Sequence, residues 1–325
     1  MSEVILTREG LRARSAPLWL DATRKTERSF VSHAHGDHIG RHVEAIGTAA
    51  TLALMAHRLP TANTVRRAVE YGQPFSLGPL QVELLPAGHV LGSAQIRITA
   101  RGHRTVYTGD LNTAPSRTAQ PVEVASCDTL VIESTFGQPR YRFPPREEVE
   151  ARIAAFAQGA LDEGATPVFY AYALGKAQEA TRILGDLGFQ VRVHPDAWRL
   201  CEIYLAHGVD LPNAALLADT PEPGEVIVAP PRARDLRALN RRGDVRTCAL
   251  TGWAIDASAR YRFRSDEALP LSDHADFEGL VAYAKATGAS RVLTTHGSAD
   301  VLARELRARG VDAQALSPSA QLELF

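Results

Sequence analysis

The chain has three cysteines, two methionines and, among 36 basic residues, three lysines (Lys25, Lys176 and Lys285). Each scarcity removes a class of explanation. Cys127, Cys201 and Cys248 lie far apart and form no C-x-x-C pair, so reduced, buried thiols are expected rather than a disulfide framework or a zinc ribbon. No apolar run approaches the ~20 residues that a membrane-spanning helix needs. The first ten residues carry Glu3, Arg8 and Glu9 and no secretory pattern, so a cytoplasmic protein with no membrane contact is expected. A net charge of −1 gives no global field to attract nucleic acid, so any attraction must come from local clusters. With 45% hydrophobic and 22% charged residues, the composition is that of a globular chain. Its 325 residues exceed what one core usually organises, and two domains are expected.

What the chain does have is metal-ligand chemistry in one short stretch. Ser32-His33-Ala34-His35-Gly36-Asp37-His38 packs three imidazoles and a carboxylate directly after the apolar pair Phe30-Val31. Imidazole and carboxylate are ligands of Zn²⁺ and related divalent ions. In an extended run His33, His35 and Asp37 would share a face and His38 would point elsewhere, toward a second metal or a turn. Further candidates sit where apolar strands are expected to end: His89 in Pro86-Ala87-Gly88-His89, Asp110 in Tyr107-Thr108-Gly109-Asp110, His274 in Ser272-Asp273-His274-Ala275-Asp276, and His296 in Thr294-Thr295-His296-Gly297. The other five histidines (His42, His57, His103, His194, His207) fall on expected helices or turns and read as packed or solvated.

Coarse periodicity divides the chain. Short strands are expected at 17–21, 29–32, 80–85, 94–99, 105–108 and 128–133, with helical patterns at 36–46 and 51–58. Asp21, closing the first strand, is placed to hold the histidine loop by hydrogen bonds. After Pro144-Pro145 an amphipathic helix at 146–162 opens an alternation of strands and helices, the mark of parallel βαβ units. Short strands return from about Val245, with helices at 277–286 and 299–309. The simplest organisation is a discontinuous first domain, 1–144 and 249–325, interrupted by an inserted doubly wound domain at 145–248.

The order and setting of Asp21, the His33–His38 cluster, His89 and Asp110 resemble the metallo-β-lactamase superfamily. Val131-Ile132-Glu133-Ser134-Thr135-Phe136-Gly137 resembles the acidic motif of its β-CASP nuclease branch, and the segments around His274 and His296 resemble that branch's late histidine motifs. Tyr172-Ala173-Leu174-Gly175-Lys176-Ala177-Gln178-Glu179 is similar to the opening strand–helix unit of the β-CASP insertion. Within the branch, the stretches 136–144 and 271–277 most resemble bacterial DNA-ligase-associated exonucleases. The resemblance implies an α/β fold, an αββα sandwich carrying an inserted β-CASP domain. It also implies two divalent ions, Zn most readily and Mn as an alternative: one on His33, His35 and His89, the other on Asp37, His38 and His296, with Asp110 bridging. His274 would then protonate or stabilise the leaving oxygen, with Glu133 orienting it.

These assignments imply a DNA exonuclease working in repair beside a ligase. An RNA-processing nuclease of the same branch is the alternative, and a non-catalytic nucleic-acid-binding scaffold is the alternative from another class. Ser298 follows Gly297 where RNA-processing members usually carry glutamate, which tilts away from messenger-RNA-processing enzymes, and the complete ligand set argues against the scaffold. For the substrate backbone the candidates are Lys176 and the repeated phrases Arg140-Tyr141-Arg142-Phe143 and Arg260-Tyr261-Arg262-Phe263. As extended segments, these would set Arg140 with Arg142, and Arg260 with Arg262, on one face and the aromatics on the other. A further basic run comprises Arg232, Arg234, Arg237, Arg241, Arg242 and Arg246, for which a solvated surface is an equal explanation.

Overall fold

The structure, a computed structural model, describes residues 2–60, 63–218, 221–231, 233 and 245–316. All of the basic run except Arg246 lies outside them. Three sheets form. The first has the order β1 (Val4–Thr7), β2 (Gly10–Ala13), β3 (Trp19–Leu20), β4 (Arg28–Phe30), β5 (Glu44–Gly47), β6 (Val65–Ala68). The second runs β19 (Ala313–Ala315), β18 (Arg291–Thr295), β11 (Thr129–Glu133), β10 (His103–Tyr107), β9 (Ala94–Ala100), β8 (Leu80–Pro86), β7 (Phe75–Leu77).

The two-residue period of a strand explains how these sheets stack. Leu80, Val82, Leu84, Tyr107, Val131 and Leu293 enter one apolar cluster with Leu20, Phe30 and Ile46 of the first sheet. Their neighbours Leu85, Val106, Leu130, Ile132 and Val292 face the opposite way, into a cluster with Phe277, Leu280 and Val281 of helix Phe277–Ala286 and Leu302 and Leu306 of helix Ala299–Ala308. Helix α1 (Ala49–Arg58), capped by the Thr48 hydroxyl, lies against β5 of the first sheet. The layers are therefore α, β, β, α.

The second sheet also decides where loops gather. Strands β10, β11 and β18 are mutually parallel, and β8 runs with them because both β8 and β10 are antiparallel to β9. Their carboxyl ends therefore share one edge, from which the segments bearing His89, Asp110, Glu133 and His296 emerge. The stretch 36–46, whose apolar spacing mimics a helix, instead forms a loop followed by β5, which pairs in parallel with β4 (Arg28↔Glu44, Phe30↔Ile46).

The second compact unit comprises Ser116–Thr118 and Phe143–Asp273, and the first comprises Met1–Pro115, Ala119–Arg142 and His274–Phe325. The unit boundary at 273/274 differs from the expected 248/249. The physical reason is that β16 (Val245–Leu250) pairs with β17 (Glu267–Leu269) in the inserted sheet. That sheet is wholly parallel, in the order β14 (Ala214–Leu216), β13 (Gln190–Val193), β15 (Glu225–Ala229), β12 (Thr166–Tyr170), β16, β17. Helices α2 (Arg146–Asp162), α3 (Lys176–Asp186) and α4 (Pro195–Ala206) bury Ile153, Ala180, Ile183 and Cys201 against Phe169, Val191, Val226 and Cys248. All three cysteines are free and buried.

Two further expectations change here. The segment from Arg260 is not extended: Ala259–Phe263 is a helix, α5, ended by Arg264 at φ +52°. Its start is set by the Asp256 carboxylate, which accepts from Ser258 N at 2.9 Å, and by burial of Ala259. Lys176 is buried, with its ammonium paired to Asp273, so its charge is already answered inside the unit.

Phe169 is fully buried and meets the Phe156 ring edge-on at 5.4 Å. Phe169→Ala is expected to lower the stability of this unit by about 3–5 kcal/mol, read as an earlier denaturant midpoint with an unchanged slope. A change below about 1 kcal/mol would contradict that packing.

Candidate metal centre

The site starts from Asp21, whose backbone takes the left-handed conformation (φ +51°) just after β3. Its carboxylate accepts from Ser32 N (2.7 Å), Ser32 Oγ (2.6 Å), Tyr107 OH (2.8 Å) and His38 Nδ1 (2.9 Å). One side chain thus fixes both ends of the histidine loop and ties it to β10.

Ring tautomers follow from these bonds. The single hydroxyl proton of Ser32 goes to Asp21, so Ser32 Oγ accepts from His33 Nδ1–H at 3.0 Å. His33 Nε2 is left as the lone-pair nitrogen, and it is buried without a hydrogen-bond partner. Burial and then the imidazoles of His38, His89 and His35 push the His33 pKa well below the usual range, which keeps it neutral. A neutral imidazole with an orphaned, inward lone pair is the form in which histidine binds a metal.

The ligand-bearing atoms converge around that nitrogen. One atom each from His33, His35, His89 and Asp110 lie within 4.8 Å of one another. His89 Nε2 stands 3.0 Å from His35 Nδ1, a distance at which two lone pairs repel unless a proton or a cation lies between them. Asp110 Oδ2 is 3.4 Å from His33 Nε2, 3.5 Å from His38 Nε2 and 3.7 Å from His89 Nε2. This donor set of imidazoles and a shared carboxylate fits a divalent cation.

Asp37 and His296 are held less closely. Asp37 is exposed, with Oδ2 at 3.7 Å from His38 Nε2, because the loop turns and is not extended as expected. The exposed His296 ring lies 5.7 Å from that of His38, on a backbone at φ +58°. The next residue must be glycine: a Cβ on Gly297 would stand 2.4 Å from the Ser134 carbonyl oxygen. Gly109 has a similar role, since a Cβ there would meet Ser32 Oγ at 2.6 Å and push Asp110's segment off the histidine loop.

Electrostatics draw positive charge to the centre. Burial opposes a charge on His38, but Asp110, Asp21 and Asp37 outweigh it and raise its pKa to about 10. With Nδ1–H given to Asp21, the second proton sits on Nε2, where a cation would displace it. Burial, with Glu133 nearby, outweighs His38 and raises Asp110 to about 6.

His274 and Glu133 form a separate pair beside this cluster. His274 Nδ1 lies 2.9 Å from Glu133 Oε1, and His274 Nε2 faces Asp110 Oδ2 at 4.0 Å. Glu133 is fully buried, and burial alone would raise its pKa. The charge and hydrogen bond of His274, together with the Leu111 and Thr135 amides at 2.7 and 3.1 Å, hold it at about 2. Phe136 meets the His274 ring at 6.0 Å between centroids.

Sequence reasoning passed over Ser32, Tyr107 and Gly109. Tyr107 offered one signal, a phenol immediately before Thr108-Gly109-Asp110 at the end of a strand. Of the histidines read as structural, His42 Nδ1 meets Thr26 Oγ1 at 2.8 Å and His194 accepts from Asp196 N at 3.2 Å as a helix cap. The cationic candidates fall outside the cluster. Arg140 stacks on Tyr141, which is buried, and Arg142 pairs with Glu278 at 2.7 Å, while Arg260 and Arg262 belong to the second unit.

Asp21→Ala is expected to weaken Zn²⁺ affinity about 10–100-fold while the chain still folds, measured by chelator competition beside far-UV dichroism. Unchanged affinity would show that the loop holds its shape without the carboxylate.

A family model described as "Beta-lactamase superfamily domain" matches residues 7–165. The chain is 39% identical over 308 residues to a "Probable DNA ligase" of Opitutus terrae, an alignment covering 94% of this chain and 30% of that protein. It is 28% identical over 202 residues to "RNase aCSPSF2" of Saccharolobus solfataricus, covering 53% of this chain and 41% of that one. The chain thus spans well under half the length of either relative. In fold it is similar to a protein of unknown function from Enterococcus faecalis, with a TM-score of 0.62, 13% identity, and coverage of 89% of this chain and 79% of that one. With the αββα layers, the interrupting parallel sheet and the histidine–aspartate cluster, these matches lead to one conclusion: the chain belongs to the metallo-β-lactamase superfamily, in the branch that carries an inserted β-CASP domain.

Proposed function

We propose that this chain is a metal-dependent nuclease that hydrolyses phosphodiester bonds, with DNA as the favoured substrate and an exonucleolytic role in repair beside a DNA ligase. The observation that carries the reading is the Glu133–His274 pair aimed at Asp110 Oδ2 from 4.0 Å, next to a cluster suited to divalent ions. His33, His35 and His89 would hold one ion and Asp37, His38 and His296 a second, with Asp110 between them. Zn²⁺ suits the imidazole-rich set best and Mn²⁺ is the alternative. Bound there, such ions supply a hydroxide nucleophile at neutral pH and neutralise phosphate oxygens.

The chain's own groups account for the remainder. Glu133, kept ionised by the pair and by two amides, fixes His274 with Nδ1–H directed to itself. A proton on Nε2 then faces the cluster, in position to pass to the oxygen that leaves the phosphorus. Asp21 keeps His33 and His38 in the tautomers that turn Nε2 inward. DNA is favoured by the similarity, over nearly all of this chain, to a protein named as a probable DNA ligase. RNA is the second reading, supported by the similarity of over half the chain to a protein named as an RNase.

The decisive experiment offers end-labelled single- and double-stranded DNA and matched RNA with Zn²⁺ or Mn²⁺. DNA cleavage by the wild type should fall to background in Asp37→Ala/His38→Ala, and His274→Ala should lower kcat about 10²–10⁴-fold. Cleavage surviving in the double variant would refute the site, and preferential cutting of RNA would replace the first reading with the second. For the backbone contacts, alanine at Arg140, Arg142, Arg260 and Arg262 is expected to weaken binding and reduce the salt slope by about 0.7–0.9 for each phosphate no longer neutralised. An unchanged slope would remove these four arginines from the interface.

A further inference from the structure

The tetrapeptide Arg-Tyr-Arg-Phe occurs twice, and its two copies meet opposite fates. At 140–143 the tyrosine is consumed by packing: Tyr141 is 6% exposed, its ring meets Phe136 at 5.2 Å, and Arg142 is paired with Glu278. At 260–263 the tyrosine is left largely open. Tyr261 is 69% exposed, the most exposed of the large hydrophobic side chains among the described residues.

The surroundings of Tyr261 are cationic. Arg260 lies over its ring at 4.6 Å and donates to its hydroxyl at 2.5 Å, which holds the ring in a fixed orientation. Arg262 and Arg264 are exposed and make no ion pair among the described residues. The helical form of this segment matters here. Arg260 precedes the tyrosine on the helix, and Arg262 and Arg264 follow it within three residues, Arg264 in the left-handed cap. The carboxylates around the adjoining hollow are already engaged. Asp256 accepts from Ser258 N, Asp266 accepts from Thr247 N and Oγ1 at 2.8 Å each, and Glu267 pairs with Arg152 at 3.2 Å. Asp256 and Asp266 receive only neutral donors and keep their charge, but Arg260, Arg262 and Arg264 outnumber them and Glu267 is paired with Arg152, so the segment stays net positive.

An exposed ring under one guanidinium, with two further exposed arginines within three residues of it, suits a ligand that carries flat π-faces and regularly spaced negative charges. We infer that α5 is a base-stacking subsite for single-stranded nucleic acid, with one base on Tyr261 and backbone phosphates on Arg260 and Arg264. Stacking tolerates any base, so this subsite contributes affinity without sequence preference. A base locked in a duplex offers no free face and gains only the phosphate contacts. The inference rests on the nuclease reading for its choice of ligand but uses no residue of the metal centre.

The test uses the full chain carrying Asp37→Ala/His38→Ala, so that the probe survives. The probes are an oligodeoxyadenylate containing 2-aminopurine, the same strand in a duplex, and poly-glutamate as a polyanion without bases. Tyr261→Ala should weaken single-strand binding about 5–150-fold and remove part of the 2-aminopurine quenching, whereas Tyr261→Phe retains both. Poly-glutamate binding should be unchanged by Tyr261→Ala and weakened by Arg260→Ala/Arg264→Ala. Single-strand binding and quenching left intact by Tyr261→Ala would overturn the subsite. So would an equal loss for poly-glutamate, which would make this an acidic-peptide surface. Cleavage by the wild-type chain is scored separately. Binding without cleavage would sink the nuclease reading and leave the subsite standing, and cleavage with a silent Tyr261→Ala would do the reverse.

Discussion

Everything in the metal centre depends on one carboxylate accepting four hydrogen bonds. Asp21 receives Ser32 N, Ser32 Oγ, Tyr107 OH and His38 Nδ1, all within 2.9 Å. A buried carboxylate survives loss of water only with such a set of donors, and here the donors are the parts of the site that must not move. Through Ser32 it determines which nitrogen of His33 carries the proton, and directly it determines the same for His38. Through Tyr107 it binds a loop of the first sheet to a strand of the second. Proton placement, loop shape and sheet-to-sheet registration are therefore one constraint.

The second carboxylate of consequence works by a different balance. Glu133 has no exposure, yet it stays ionised because an imidazole and two backbone amides compensate for its burial. Asp110, with burial and another carboxylate against it and imidazoles beside it, stays near neutrality. Two acids on adjacent strand ends thus differ by what surrounds them. That difference allows one to orient an imidazole and the other to sit among the Nε2 atoms of His33, His38 and His89.

Legibility in the sequence followed the physics of each element. Helices with an apolar stripe and a clear start, such as 146–162 after its proline pair and 277–286 capped by Asp276, could be read almost to the residue, because period and boundary agree. The parallel core strands were legible as short apolar runs. The stretch 36–46 was not, because its apolar spacing satisfied a helix while Asp21 held the His38 side chain and the backbone from Glu44 paired with β4. The segment 260–263 misled for the converse reason: alternating residues suggested a strand, while the Asp256–Ser258 bond and burial of Ala259 accompany a helix. The convergence of His33, His35, His89 and Asp110 was legible because imidazoles and carboxylates recur where the strands of one sheet edge end. Tyr107 and Ser32 were not, since a phenol or hydroxyl acquires its meaning only from a partner 86 or 11 residues away.

The first unit is assembled from chain segments on either side of the second, and this gives the site a history as well as a shape. A ribosome delivers His33, His35, His38, His89, Asp110 and Glu133 well before His274 and His296, with the whole inserted unit in between. At ~5–20 residues per second that interval is on the order of ten seconds. During it Glu133 is without the imidazole of His274, and β11 is without its parallel neighbour β18, so the second sheet cannot close until the inserted unit has been made.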